Sequence, residues 1–215
     1  MMTDEMTNVC SNCGAYRSDK NVDPEAGIVI CPECSHTMPL EFRPLFVVGG
    51  PSGAGKSTVL TRLVSYELPV VVMDCDILWE PRHDSPESNY REFFEMWLRI
   101  ARNIHQSGRP CVLFAGGGAV PHNIEPCVER RYVSDVYYLA LIAKDEVLRK
   151  RLKARPTWRG SSHDAFIRSH LEYSRWLTTS EEAARYGITI VDTSTDAVET
   201  TTAKVADWIC AHLGT

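Results

Sequence analysis

Gly50-Pro51-Ser52-Gly53-Ala54-Gly55-Lys56-Ser57 fits the pattern G-x-x-x-x-G-K-[ST] and decides how the whole chain is read. Just before it, Leu45-Phe46-Val47-Val48 reads as a short buried strand; after it, Ser57 to Leu63 reads as a helix. Strand, glycine loop and helix together are the context a phosphate-binding loop needs, and they argue against a chance glycine-rich turn. Glycines let backbone N–H groups close around phosphate oxygens, and the helix N-terminus adds partial positive charge. Lys56 would reach the outer phosphates and the Ser57 hydroxyl would ligate magnesium. Pro51, Ser52, Ala54 and Thr58 complete the loop that would hold the ligand.

Working outward, 215 residues with 44% hydrophobic and 24% charged side chains suit one globular core and a small appendage. No apolar run approaches the roughly 18 residues of a membrane span. The start, Met1-Met2-Thr3-Asp4-Glu5, is acidic and unlike a signal peptide, so a cytoplasmic protein is expected. A net charge of −5 argues against broad binding to nucleic acid or anionic membranes.

The eight cysteines fall into two groups. Cys10-Ser11-Asn12-Cys13 and Cys31-Pro32-Glu33-Cys34 form two C-x-x-C pairs whose separation lies in the zinc-site range. Each pair turns two thiolates toward one ion, and two such knuckles close a tetrahedral structural site. Gly14 follows the first pair, a turn is expected at Asp23-Pro24, and Ile28-Val29-Ile30 returns as a strand to the second. A segment of about forty residues with few apolar side chains needs the metal for its folding energy. Residues 1–42 are therefore read as a zinc ribbon and 43–215 as the main domain, with Pro39 to Pro44 as linker. His36 is read as a surface residue, and Cys75, Cys111, Cys127 and Cys210 as buried thiols.

In the main domain, Pro69 to Met73 is a β-branched run that ends in Asp74-Cys75-Asp76. Ligands of open α/β sheets sit beyond the carboxyl ends of strands, so these acids are candidates for magnesium and substrate; a strand-end turn or a helix cap would use them equally well. Trp79 to Asn89 reads as irregular, and Tyr90 to Gln106 as a helix whose aromatic residues face the core. Arg91, at its start, is a candidate to face the cleft. A third strand, Cys111 to Ala115, runs into Gly116-Gly117-Gly118, which suits either close backbone approach to a substrate or a flexible turn. Val136 to Ile142 is a fourth strand, and a helix follows over about 144–154. Arg155 and Arg159, around Pro156 and Gly160, suit a lid over phosphate at about 155–162. One helix is expected over His163 to Tyr186, a fifth strand at Ile188 to Val191 and a last helix from Val198 to Leu213. Alternating strands and helices predict an α/β P-loop fold with a five-stranded parallel sheet covered by helices.

The order of phosphate loop, Asp-x-Asp, Gly-Gly-Gly-Ala-Val and an Arg-Pro lid resembles the shikimate kinase and gluconate kinase branch of the nucleoside-monophosphate-kinase-like fold, over about residues 45 to 213. That resemblance implies an ATP-dependent small-molecule kinase using Mg2+. It implies Asp74 near magnesium, Asp76 on the acceptor hydroxyl, and Gly116, Gly117 and Gly118 lining the substrate pocket. It further implies Arg155 on ATP phosphates, Arg91 on a substrate carboxylate, and adenine near Asp192 to Thr195. Arg168 and Arg175 are loose candidates for a second carboxylate-binding arginine. Lys56, Asp76 and Arg155 would carry the chemistry. Two rival readings are a nucleoside or nucleotide kinase, and an ATP-binding regulator whose zinc ribbon docks a protein or nucleic acid.

Overall fold

The computed structural model describes residues 8–214; the acidic start Met1–Glu5 lies outside them. Two sheets are present among these residues. The small one is antiparallel and built from β1 (Asn21–Asp23), β2 (Ile28–Ile30) and β3 (Thr37–Pro39), in that order. The large one holds β4 (Leu45–Gly49), β5 (Val71–Asp74), β6 (Cys111–Phe114), β7 (Val136–Ile142) and β8 (Thr189–Asp192). Its order is β5-β6-β4-β7-β8 and every pairing is parallel.

Side chains alternate along β4, so its two faces feed two cores. Leu45 and Val47 pack with Leu113 of β6 against Phe93, Phe94, Trp97, Leu98 and Ala101 of α2 (Arg91–His105). On the opposite face, Phe46 and Val48 meet Val59 and Leu63 of α1 (Lys56–Leu63) and Val205 and Ile209 of α7 (Val198–Leu213). Residues 45–48 are each at most 1% exposed, the pattern of a strand buried on both faces. Full burial stabilises by about 1.5–3 kcal/mol for each large apolar side chain, and this anchors the strand that carries the loop.

Chain direction opens the cleft. After β4 the chain passes over β6 to β5, whereas after β6 it passes over β4 to β7. Adjacent strands that send the chain opposite ways leave a crevice at their carboxyl ends. The phosphate loop follows β4, the triple glycine follows β6, and Asp74 ends β5 beside them.

The expected helix over His163 to Tyr186 is two helices. α5 (Asp164–Thr179) stops at Ser180, whose hydroxyl caps α6 (Glu181–Arg185) by accepting from the N–H groups of Glu182 and Ala183 at 3.1 and 3.4 Å. Ser-Glu-Glu is an N-terminal signature, and it overrides the continuous helical pattern. A short α3 (Pro121–Ile124) also follows the triple glycine, and α4 (Asp145–Lys153) precedes the lid. No helix among the described residues is long and apolar enough to cross a membrane.

Candidate functional site

The loop between β4 and α1 is held in its strained form by the sheet. Gly50 has φ 124°, and a Cβ there would lie 2.1 Å from the Leu141 carbonyl oxygen of β7, so only glycine fits. Lys56 folds back over the loop, its Nζ donating to the carbonyls of Gly50 at 2.6 Å and Pro51 at 3.1 Å. Desolvation there brings the Lys56 ammonium down to about 8. Ser57 and Thr58 are exposed at the helix start.

A cleft of about 390 Å³ opens over this loop. Asp76, Gly116 and Gly117 border it on one side, and Arg155, Arg159 and His170 on another. The segment after α4 is fastened to the loop, since Arg155 Nη1 donates to Ser52 Oγ at 2.8 Å. Arg159 stacks over the exposed Trp158 ring, 5.1 Å from its centroid. Thr193, Asp196 and Val198 also line the cleft.

The acids divide their roles. Asp74 accepts from the Asp76 N–H at 3.0 Å and caps the 3-10 turn over residues 75–78. Asp76 faces the cleft. Its carboxyl is raised above the usual carboxylate range by desolvation and by Asp74, against the pull of Lys56 and Arg159. Of the glycines, Gly116 and Gly117 line the main cleft, while Gly117 and Gly118 line a second concavity of about 290 Å³. Arg91 borders neither; its guanidinium faces the Cys127 thiol. Arg175 is paired with Asp145, and Arg168 is exposed.

Three contributors escape motif reading. Arg151 donates to the Gly53 carbonyl at 3.3 Å and to Thr193 at 2.7 and 2.9 Å, tying the loop to the turn after β8. His170, from α5, accepts the Ser52 N–H on Nδ1 at 3.3 Å. Burial, then Lys56 and Arg155, hold His170 down to about 4, so it is neutral at pH 7. Tyr173, one turn on, lies against Gly117. Arg151 is signalled only by the arginine-rich run around the lid, whereas His170 and Tyr173 carry no motif signal.

The second cluster lies in the ribbon. The Sγ atoms of Cys10, Cys13, Cys31 and Cys34 all lie within 4.8 Å of one another. Cys10 to Cys34 is 3.7 Å and Cys13 to Cys31 is 3.8 Å. A tetrahedral ion with bonds to sulfur of about 2.3 Å spaces its ligands about 3.8 Å apart, so the quartet fits zinc. Both knuckles use the same turn: Gly14 N–H donates to the Cys10 carbonyl and Ser35 N–H to the Cys31 carbonyl, each at 2.9 Å. The Cys10 thiol is held down to about 6, first by the Cys13 N–H, and Cys34 is lowered first by the Asn12 amide. His36 stands outside the quartet and meets Ser11 Oγ at 3.2 Å. Of the remaining cysteines, Cys75, Cys111 and Cys127 are buried and Cys210 is only partly so.

Polar links fasten the ribbon to the main domain. The Tyr132 hydroxyl donates to the Ser18 carbonyl at 2.7 Å and accepts from the Lys20 N–H at 3.0 Å. Arg102 of α2 stacks over the Tyr132 ring and donates to Asn8 at 3.0 Å, while buried Glu129 pairs with Arg99 and Arg102 at 2.9 and 3.0 Å.

No protein-family model and no curated relative matches this sequence. Solved structures do resemble the fold. A sugar kinase from Janibacter sp. HTCC2649, solved unliganded, is 17% identical with a TM-score of 0.56, over 78% of this chain and 94% of that one. A shikimate kinase from Acinetobacter baumannii in complex with shikimate is 20% identical with a TM-score of 0.52, over 80% and 96%. The tunicamycin resistance protein of Deinococcus radiodurans is 16% identical with a TM-score of 0.53, over 80% and 96%. The chain has the fold of P-loop small-molecule kinases.

Proposed function

We propose that the protein is an ATP-dependent kinase that transfers the γ-phosphoryl group to a hydroxyl of a small molecule. The observation that carries this reading is the shared wall at Gly117. It separates the phosphate cleft bearing Lys56, Asp76 and Arg155 from a second concavity of a size for a small acceptor. A nucleotide sensor needs only the first of these.

ATP phosphates would lie on residues 50–58, with the Ser57 hydroxyl toward Mg2+ and Asp74 nearby to order its waters. The acceptor oxygen would bond to the γ-phosphorus as the bond from phosphorus to the β–γ bridging oxygen breaks, releasing ADP. Asp76 would take the hydroxyl proton, and its raised affinity for protons suits that task. Lys56, Arg155 and Arg159 would balance charge on the migrating group. Zn2+ on the four cysteines would hold the ribbon, a structural role consistent with its polar seams to Tyr132 and Arg102. With no spanning helix and no broad basic character, we place its work in the cytoplasm.

The test is transfer of label from γ-labelled ATP across a panel of hydroxy acids, sugars and nucleosides. Transfer to at least one member is expected; ATP binding with no transfer to any member would favour a nucleotide-binding regulator.

A further inference from the structure

The concavity beyond Gly117 carries its own chemical signature. Tyr90, Tyr173 and Trp176 wall it with their rings, beside the His122 imidazole. Tyr173 and Trp176 lie nearly parallel, 17° apart with centroids at 6.2 Å. Tyr90 is fixed by a left-handed backbone at φ 54°, and its ring fills the space beside Gly118, 2.8 Å from where a Cβ would stand. Such a backbone is uncommon for a bulky residue, and here it turns the ring into the wall.

One polar atom in this wall lacks a partner. Asn123 is 4% exposed; its Nδ2 donates to the Gly118 carbonyl at 2.7 Å, but its Oδ1 is buried with no hydrogen bond. The Tyr173 hydroxyl is also buried without a partner, but on the side of its ring toward Gly49, away from the concavity. Buried polar atoms are rarely left so unless something else supplies the bond. No lysine or arginine lines this concavity among the described residues. Arg91 faces Cys127 and Arg175 is held by Asp145. The one basic ring present, His122, has Nδ1 3.4 Å from a Glu182 carboxylate oxygen. A carboxylate or phosphate buried here would meet no cation to offset its desolvation.

Resting on the kinase reading above, we infer that the acceptor is an uncharged alcohol bearing a planar ring. The ring is sandwiched by Tyr90, Tyr173 and Trp176, and a donor on it meets Asn123 Oδ1. Its hydroxyl projects past Gly117 toward Asp76. Arg91 plays no part in holding it.

The test measures ADP release from Mg·ATP by the full chain with four acceptors: thymidine, 1-phenylethane-1,2-diol, shikimate and gluconate. Binding of each is measured in parallel with a non-hydrolysable ATP analogue. At least one ring-bearing alcohol is expected to exceed both hydroxy acids in kcat/KM by about tenfold or more. Tyr173→Leu, which breaks no hydrogen bond of the structure but removes one ring of the wall, is expected to raise that alcohol's KM about tenfold while KM for ATP stays unchanged. Equal or better use of a hydroxy acid overturns the inference and leaves the kinase reading standing. Binding of a ring-bearing alcohol without transfer to any acceptor supports the inferred ligand chemistry and removes the kinase reading. Neither binding nor transfer with the two alcohols, while ATP binds, overturns the inference.

Discussion

The phosphate loop and the cysteine quartet are both built on tight turns, yet the chain holds them by opposite means. The loop hangs from β4, whose residues 45–48 are buried on both faces, and Leu141 presses on it from the next strand. Its shape follows from the sheet and needs no ligand. The ribbon is enclosed by little more than Cys10, Val29, Cys31, Met38 and Leu40 closing on Tyr132. Two of those five are thiols, so apolar burial there is slight and a bound zinc ion would supply the difference. On the proposed reading, one site takes its shape from the sheet and the other draws its stability from its ligand.

The largest way to break that contrast is chelation. Zinc removal is expected to abolish amide protection across residues 10–40 and leave β4 and α1 protected, since zinc binding stabilises comparable peptides by about 10–16 kcal/mol. Hydrogen exchange would show it, and equal loss in both regions would erase the distinction. Next in size, Gly50→Ala is expected to destabilise the main domain by about 1–3 kcal/mol through the clash with Leu141. Denaturant unfolding with metal present measures this, and an unchanged midpoint would show the loop free to yield.

Tyr132→Phe sharpens the comparison at the seam. It removes one hydroxyl serving two bonds to residues 18 and 20, so a loss of about 1–2 kcal/mol is expected, with zinc affinity lowered in step. Unaltered stability would mean that the ribbon and the main domain stand independently. The smallest effect is protonic. Lys56 sits at about 8 in the free protein, below its unfolded value, so the unfolded chain binds more protons between about 8 and 10.5 and stability rises with pH there. ATP phosphates favour the ammonium form and raise that value, so binding near pH 8 should take up to about half a proton and none at pH 6. Calorimetry in two buffers of different ionisation enthalpy reads this directly.

What could be read from sequence is what sits close in sequence. The loop and the cysteine pairs encode their geometry in spacing, and short continuous apolar runs mark all five strands of the large sheet. The concavity beyond Gly117 is far less legible. Tyr90 passed as the first residue of a helix, though its left-handed backbone sends the ring to Gly118. Asn123 comes from a helix of four residues, and His170, Tyr173 and Trp176 from α5, where aromatic and polar residues look like core or solvated face. Asn123 lies in the crossover from β6 to β7 and α5 in the one from β7 to β8, so they meet only in the folded chain. Asp74 shows the reverse case, because Asp at a strand end suits both a cap and a metal site, and the structure displays the cap.

On the proposed reading Asp76 stands where the donor and acceptor halves of the cleft would meet, so its substitution tests the account most directly. Turnover of γ-labelled ATP and ATP affinity should be measured together for the parent and Asp76→Ala. The account predicts a fall in kcat of about 10²–10⁴-fold with the ATP dissociation constant unchanged; unchanged turnover would contradict it.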